Sequence, residues 1–99
     1  MLETCGYVTK TTFYDDFTIA DRFGIEAIRD TYKHVFEEWK DNVEYITELV
    51  MVLNHKMWHH HKSNPAISKT YYDLYEEAND WCINNLKGKD LDYFYETTD

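Results

Sequence analysis

The stretch IEAIRDTYKHVFEEWK, residues 25–40, decides the fold class. Its large apolar side chains, Ile25, Ile28, Tyr32, Val35, Phe36 and Trp39, recur at steps of three and four residues. At about 100° per residue they fall on one stripe, with Glu26, Asp30, Lys33 and Glu37 opposite, which is the pattern of an amphipathic helix and not of a strand. The helix starts at Asp21 or Ile25 and runs to Lys40; Gly24 marks either a bend in it or its boundary with a short helix over Thr18–Phe23.

The same period continues downstream. In Asp41-Asn42-Val43-Glu44 an acid is followed three residues later by Glu, a capping box with Asp41 in place of Ser or Thr. From there Val43, Ile46, Leu49, Val50, Leu53 and Met57 carry a second helix to about His61. A third opens at Asn64-Pro65, where Asn suits the N-cap and Pro the first helical position. Its apolar face is Ile67, Tyr71, Leu74, Tyr75, Ala78, Trp81, Cys82 and Leu86, and Gly88 falls where a left-handed C-cap is expected. Asp90 then caps a short terminal helix through Glu96. Upstream, the Thr-rich run from Tyr7 to Tyr14 alternates weakly and reads as extended. The expected organisation is an extended N-terminal arm over residues 1–17 and a single helical domain over 18–99. The expected fold is all-α, a small bundle of three main helices with short terminal helical segments, its neighbours antiparallel because the joints are short.

Composition narrows the function classes. Of 99 residues, 43% are hydrophobic and 17% aromatic, too much large apolar surface for a disordered chain. The longest uncharged apolar run, Leu49 to Leu53, is far short of the ~20 residues of a membrane span. The N-terminus lacks the basic, apolar and small-residue order of a signal peptide, and two lone cysteines, Cys5 and Cys82, form no disulfide framework. These features predict a soluble, cytoplasmic protein. A formal net charge of −9 opposes direct binding of nucleic acid, because the field of the whole molecule repels phosphates.

Searches for catalytic chemistry find little to build on. Cys82 lies on an apolar face, where a thiol is inert. There is no GxSxG, no Gly-rich phosphate loop, and the adjacent acid pairs (Asp15-Asp16, Glu37-Glu38, Glu76-Glu77) diverge on a helix. The expectation is a protein that is not an enzyme and has no cofactor. His55 and His59, one turn apart, could share a metal, and Glu48 lies on the same stripe. That site would need His34 or an acid of the third helix to complete it, and Lys56 stands where HExxH requires Glu. The plainer reading of Glu44, Glu48, His55, His59 and Lys62 is a solvated polar face. The consecutive His59-His60-His61 point about 100° apart and read as a polar helix terminus.

The acidic surface is the stronger lead. Asp73, Glu76, Glu77 and Asp80 fall in one sector of the third helix, away from the Ile67–Trp81 stripe. The sector is either an ordinary solubilising face or a docking surface for a basic, nucleic-acid-binding protein. Tyr45, Trp58 and Tyr72 lie off the main stripes, and Met51 and Val52 interrupt the polar side of the second helix. That pattern fits either a central helix buried on most sides or a surface that closes a homodimer.

Three stretches are distinctive together: Asp15-Asp16-Phe17-Thr18-Ile19-Ala20-Asp21-Arg22-Phe23-Gly24, Thr47-Glu48-Leu49-Val50-Met51-Val52-Leu53-Asn54-His55-Lys56 and Asn85-Leu86-Lys87-Gly88. With Tyr93-Phe94-Tyr95 and Thr97-Thr98-Asp99 they resemble a family of short, uncharacterised proteins encoded by phages, prophages and conjugative elements of Gram-positive bacteria. The resemblance runs from about Thr12 to Asp99 and brings no site residues with it. It implies an accessory protein of a mobile element, intracellular in the bacterial host, and says nothing about mechanism; the expectation of a host or phage protein as partner comes from the acidic surface. By analogy of size and charge alone, such a protein would be an inhibitor or a mimic of nucleic acid.

Overall fold

Gly24 is a boundary and not a bend. It takes φ 111°, a conformation that side chains rarely adopt, and its carbonyl accepts from the Ile28 N–H at 3.2 Å to open the main helix. The computed structural model describes residues 14–98, which form five helices and no strand: α1 (residues 14–21), α2 (Ile25–Trp39), α3 (Val43–His59), α4 (Pro65–Asn85) and α5 (Lys89–Thr98). The fold is all-α, with α2, α3 and α4 as the main bundle. Within the expected extended arm, residues 14–17 instead open α1; residues 1–13 of that arm, Cys5 among them, lie outside the described residues. Helix α1 forms because Phe17 and Ala20 are one turn apart and both are buried, so a helix seats them together where an extended chain would not.

Two helix starts and one helix end differ from expectation. The cap of α3 is Asn42, not Asp41: Asn42 Oδ1 accepts from the backbone N–H of Glu44 at 3.1 Å and of Tyr45 at 3.2 Å. Lys40 is still αR, and the Asn42 N–H turns back to the Trp39 carbonyl at 2.9 Å. Asn42 is extended, at φ −110°, so its side chain and not that of Asp41 meets the free N–H groups of the first turn. At the other end of the bundle, Leu86 is the C-cap of α4, extended, with its N–H on the Cys82 carbonyl. Gly88, at φ +60°, belongs to the next helix. Its carbonyl accepts from Asp92 N–H at 3.1 Å, so α5 starts at Lys89 and Asp90 lies inside its first turn. Asn64 caps α4 through the Ile67 N–H as its sequence suggests.

Helix α3 is central and packs against α2, α4 and α5. Ile46, Leu49, Val50, Val52 and Leu53 are all buried, because neighbours cover most of its circumference. That accounts for Val52, which breaks the polar side of the helix on paper. Tyr45 is half-buried with its ring 4.4 Å from that of Trp39, and Phe36 meets Trp81 edge-on at 5.2 Å. Ile25, by contrast, lies at the edge of its stripe and is exposed.

Candidate functional site

Helix α4 turns Ile67, Tyr71, Leu74 and Ala78 into the core, which leaves its opposite side to solvent. Asp73, Glu76, Glu77 and Asp80 all lie on that side and all are exposed. Three of them have intramolecular partners. Lys69 Nζ is 2.8 Å from Asp73 Oδ1, the Tyr72 hydroxyl donates to Glu76 at 2.7 Å, and the Tyr32 hydroxyl reaches from α2 to Glu77 at 3.2 Å. Glu77 thus sits on the seam between α2 and α4, while Asp73, Glu76 and Asp80 face outward. The phenol of Tyr32 is raised well above the tyrosine range, first by burial and then by the charge and hydrogen bond of Glu77. Lys69 is the one basic residue of α4, so the face keeps a net negative charge.

Tyr72 links this face to an apolar one. With Met57, Trp58, His61, Pro65, Ser68 and Lys69 it lines a groove of about 410 Å³ where the end of α3 meets the start of α4. Trp58 is 62% exposed and Tyr72 39%. On its other side Trp58 borders a second groove, of about 440 Å³, lined by Tyr14, Met51, Val52, Asn54, His55 and Thr98. The acidic sector and the aromatic residues are separate features in the sequence; the fold makes them neighbours.

The histidines do not converge. His55 and His59 are exposed, His55 lies edge-on to Tyr14 at 5.2 Å, and His34 is on α2 beside Glu38. Among the described residues no group of three His, Cys, Asp or Glu side chains could hold a metal ion. The polar stripe is also interrupted, since Glu48 is half-buried and Lys62 lies beyond the end of α3. Burial pushes the Cys82 thiol up to about 12, which keeps it protonated and a poor nucleophile.

One polar cluster escapes the sequence reading. Lys56 is 1% exposed, and its Nζ lies 2.6 Å from Asp21 Oδ2 and 3.3 Å from Thr18 Oγ1. Asp21 also accepts from Tyr71 at 2.5 Å and pairs with His60 Nε2 at 2.9 Å. The His60 ring stacks on Tyr71 at 5.8 Å, and the ammonium sits 4.7 Å over the Tyr14 ring. Burial alone would raise the Asp21 carboxyl; hydrogen bonds from Lys56, Tyr71 and His60 and the charge of Lys56 outweigh it and hold the group below its ordinary range. Tyr71 moves the other way, raised by burial and then by Asp21. Such a set could move protons in an open cleft, but Lys56, Asp21, Tyr71 and His60 line neither of the grooves described above, one of which Tyr14 borders. Here it acts as a clamp that ties α1 to α3 and α4. The signal for it was a lysine inside an apolar arc, seven residues after Leu49 and three after Leu53.

No helix of the described residues is long and apolar enough to cross a membrane. Comparison of the chain with protein-family models, with characterised proteins and with solved structures gave no match.

Proposed function

We propose that this protein is a non-catalytic binding module of a phage or mobile element. In the cytoplasm of the bacterial host, it would use the acidic face of α4 to hold a basic host or phage protein. The observation that carries this reading is the exposure of Asp73, Glu76, Glu77 and Asp80 together on one side of a helix that has a single basic residue. Fixed charges of one sign on a rigid helix steer an oppositely charged partner and fix its orientation more than they add raw affinity. A partner that itself binds nucleic acid would meet carboxylates where it expects phosphates, which makes inhibition by mimicry the mode of action. The mobile-element origin rests on the resemblance of the sequence stretches quoted above.

The test starts with capture of partners from lysogenic or infected host cells, followed by association kinetics. Glu76→Lys with Asp80→Lys should slow association sharply and flatten its dependence on salt, because exposed charges are screened over about 10 Å at 0.1 M. Far-UV circular dichroism should be unchanged, since both residues are exposed. A partner that binds the reversed variant at the same rate, with the same response to salt, would refute the acidic-face mechanism.

A further inference from the structure

The groove between Trp58 and Tyr72 has the chemistry of a cation site. Its lining includes the exposed side chains of Trp58 and Tyr72 together with Met57 and Pro65, and the His61 ring is tilted at 5.4 Å from that of Trp58. Carboxylates stand at its rim, because the Tyr72 hydroxyl donates a hydrogen bond to Glu76 and the Lys69 ammonium donates one to Asp73. The hydrogen bond to Glu76 makes the Tyr72 ring more electron-rich, which strengthens its attraction for a cation over its face. Lys69 does not cancel this attraction: Asp73 meets its ammonium at 2.8 Å, which leaves Glu76 and the more distant Asp80 in excess. Neither groove has a carboxylate in its own lining, but here Glu76 and Asp73 are bound to the lining residues Tyr72 and Lys69, whereas the Tyr14 ring of the neighbouring groove already lies under the Lys56 ammonium.

We propose that this groove takes an arginine side chain of the basic partner, stacked against Trp58 and Tyr72 with Glu76 beside it. The inference rests on the reading of α4 as the docking face and names the residue type that anchors there. Arginine fits better than lysine because a planar, weakly hydrated guanidinium stacks on aromatic faces, whereas an ammonium keeps its water. A second copy of this chain fits worse, because each copy has a net charge of −9 and would bring acid against acid.

The experiment uses the full chain and three synthetic peptides of one length, with two arginines, two lysines or two citrullines spaced by glycine. Citrulline keeps the shape of arginine without its charge. Binding is followed by the indole N–H cross-peak of Trp58 in ¹H–¹⁵N spectra, assigned by its loss in Trp58→Phe. The arginine peptide should shift this signal in a saturable way and bind about five-fold more tightly than the lysine peptide, and the citrulline peptide should leave it unmoved. Trp58→Ala and Tyr72→Ala should each bring the arginine peptide down to the level of the lysine one, with helicity unchanged. Equal binding of arginine and lysine peptides with a static Trp58 signal, lost on Glu76→Lys/Asp80→Lys, would overturn the arginine site and leave the acidic face standing. Equal binding of arginine and citrulline peptides would mark the groove as merely apolar and also overturn the site. Failure of all three peptides to bind would overturn it too, while the proposed function would still be judged by its own partner capture.

Discussion

Removing Asp21 should cost this domain far more than its place on a short peripheral helix suggests. Lys56 is 1% exposed, and Asp21→Ala leaves its ammonium beside the uncharged Thr18 hydroxyl and the Tyr14 and Tyr71 rings. An ion stranded in this way costs about 3–5 kcal/mol. Tyr71 adds little to that, because its hydroxyl can turn to the Phe17 carbonyl at 3.3 Å. Small domains are stable by only about 5–15 kcal/mol, so the change removes a large fraction of the total. With a urea m-value of about 1–1.5 kcal/mol/M, the midpoint should fall by roughly 2–5 M. Lys56→Met should be milder, about 1–2 kcal/mol, because Asp21 keeps the Tyr71 and His60 donors and its side chain is 13% exposed. The double variant Asp21→Ala/Lys56→Met should recover much of the loss, giving a coupling of at least about 2 kcal/mol. A cost below about 1 kcal/mol for Asp21→Ala at unchanged m, or an additive double variant, would refute the clamp.

Three more outcomes follow from the structure, each read by urea unfolding or circular dichroism. Leu53→Ala should cost about 2–5 kcal/mol as a cavity in a fully buried site, and Trp81→Ala less than a buried Trp would, since Trp81 is half-buried and shares its contact with Phe36; equal surface-like costs would contradict the packing. Asn42→Ala should cost about 1 kcal/mol and Asp41→Ala less than about 0.5, and the reverse order would return the cap of α3 to Asp41. The lowered Asp21 carboxyl contributes stability that is complete above its ordinary value of 3.8 and is lost as pH falls from there through its lower folded value, so the urea midpoint should drop in that acid window and drop less in Asp21→Asn.

The helices were legible because large apolar residues repeat with a helical period and few glycines or prolines interrupt them. The acidic sector was legible for the same reason, since the stripe that buries Tyr71 and Leu74 fixes what faces outward. Caps were harder: Asp41 and Asn42 are equally good capping residues, and only the path of the turn selects Asn42. The start of α1 was missed because an eight-residue helix has too few repeats to display a period, and its helicity depends on where Phe17 and Ala20 are buried. The clamp was hidden in a different way. Tyr71 reads as core by its ring, and the role of its hydroxyl depends on a carboxylate fifty residues earlier in the chain. The groove of Trp58 and Tyr72 needs two helices side by side, which no single wheel displays.

That fifty-residue separation has a consequence for how the chain is made. Synthesis at about 5–20 residues per second puts roughly 3–10 s between the appearance of Asp21 and that of the tyrosine that receives it. Throughout that interval Phe17 has no seat on Tyr71, and the carboxylate has no phenol to accept a hydrogen bond from. An eight-residue helix is too short to hold itself together in water, so it waits as nascent chain while α2 and α3 emerge behind it. The first of the described helices to leave the ribosome is therefore among the last to be locked, and its contact with Tyr71 forms only after α2, α3 and the start of α4 have been made.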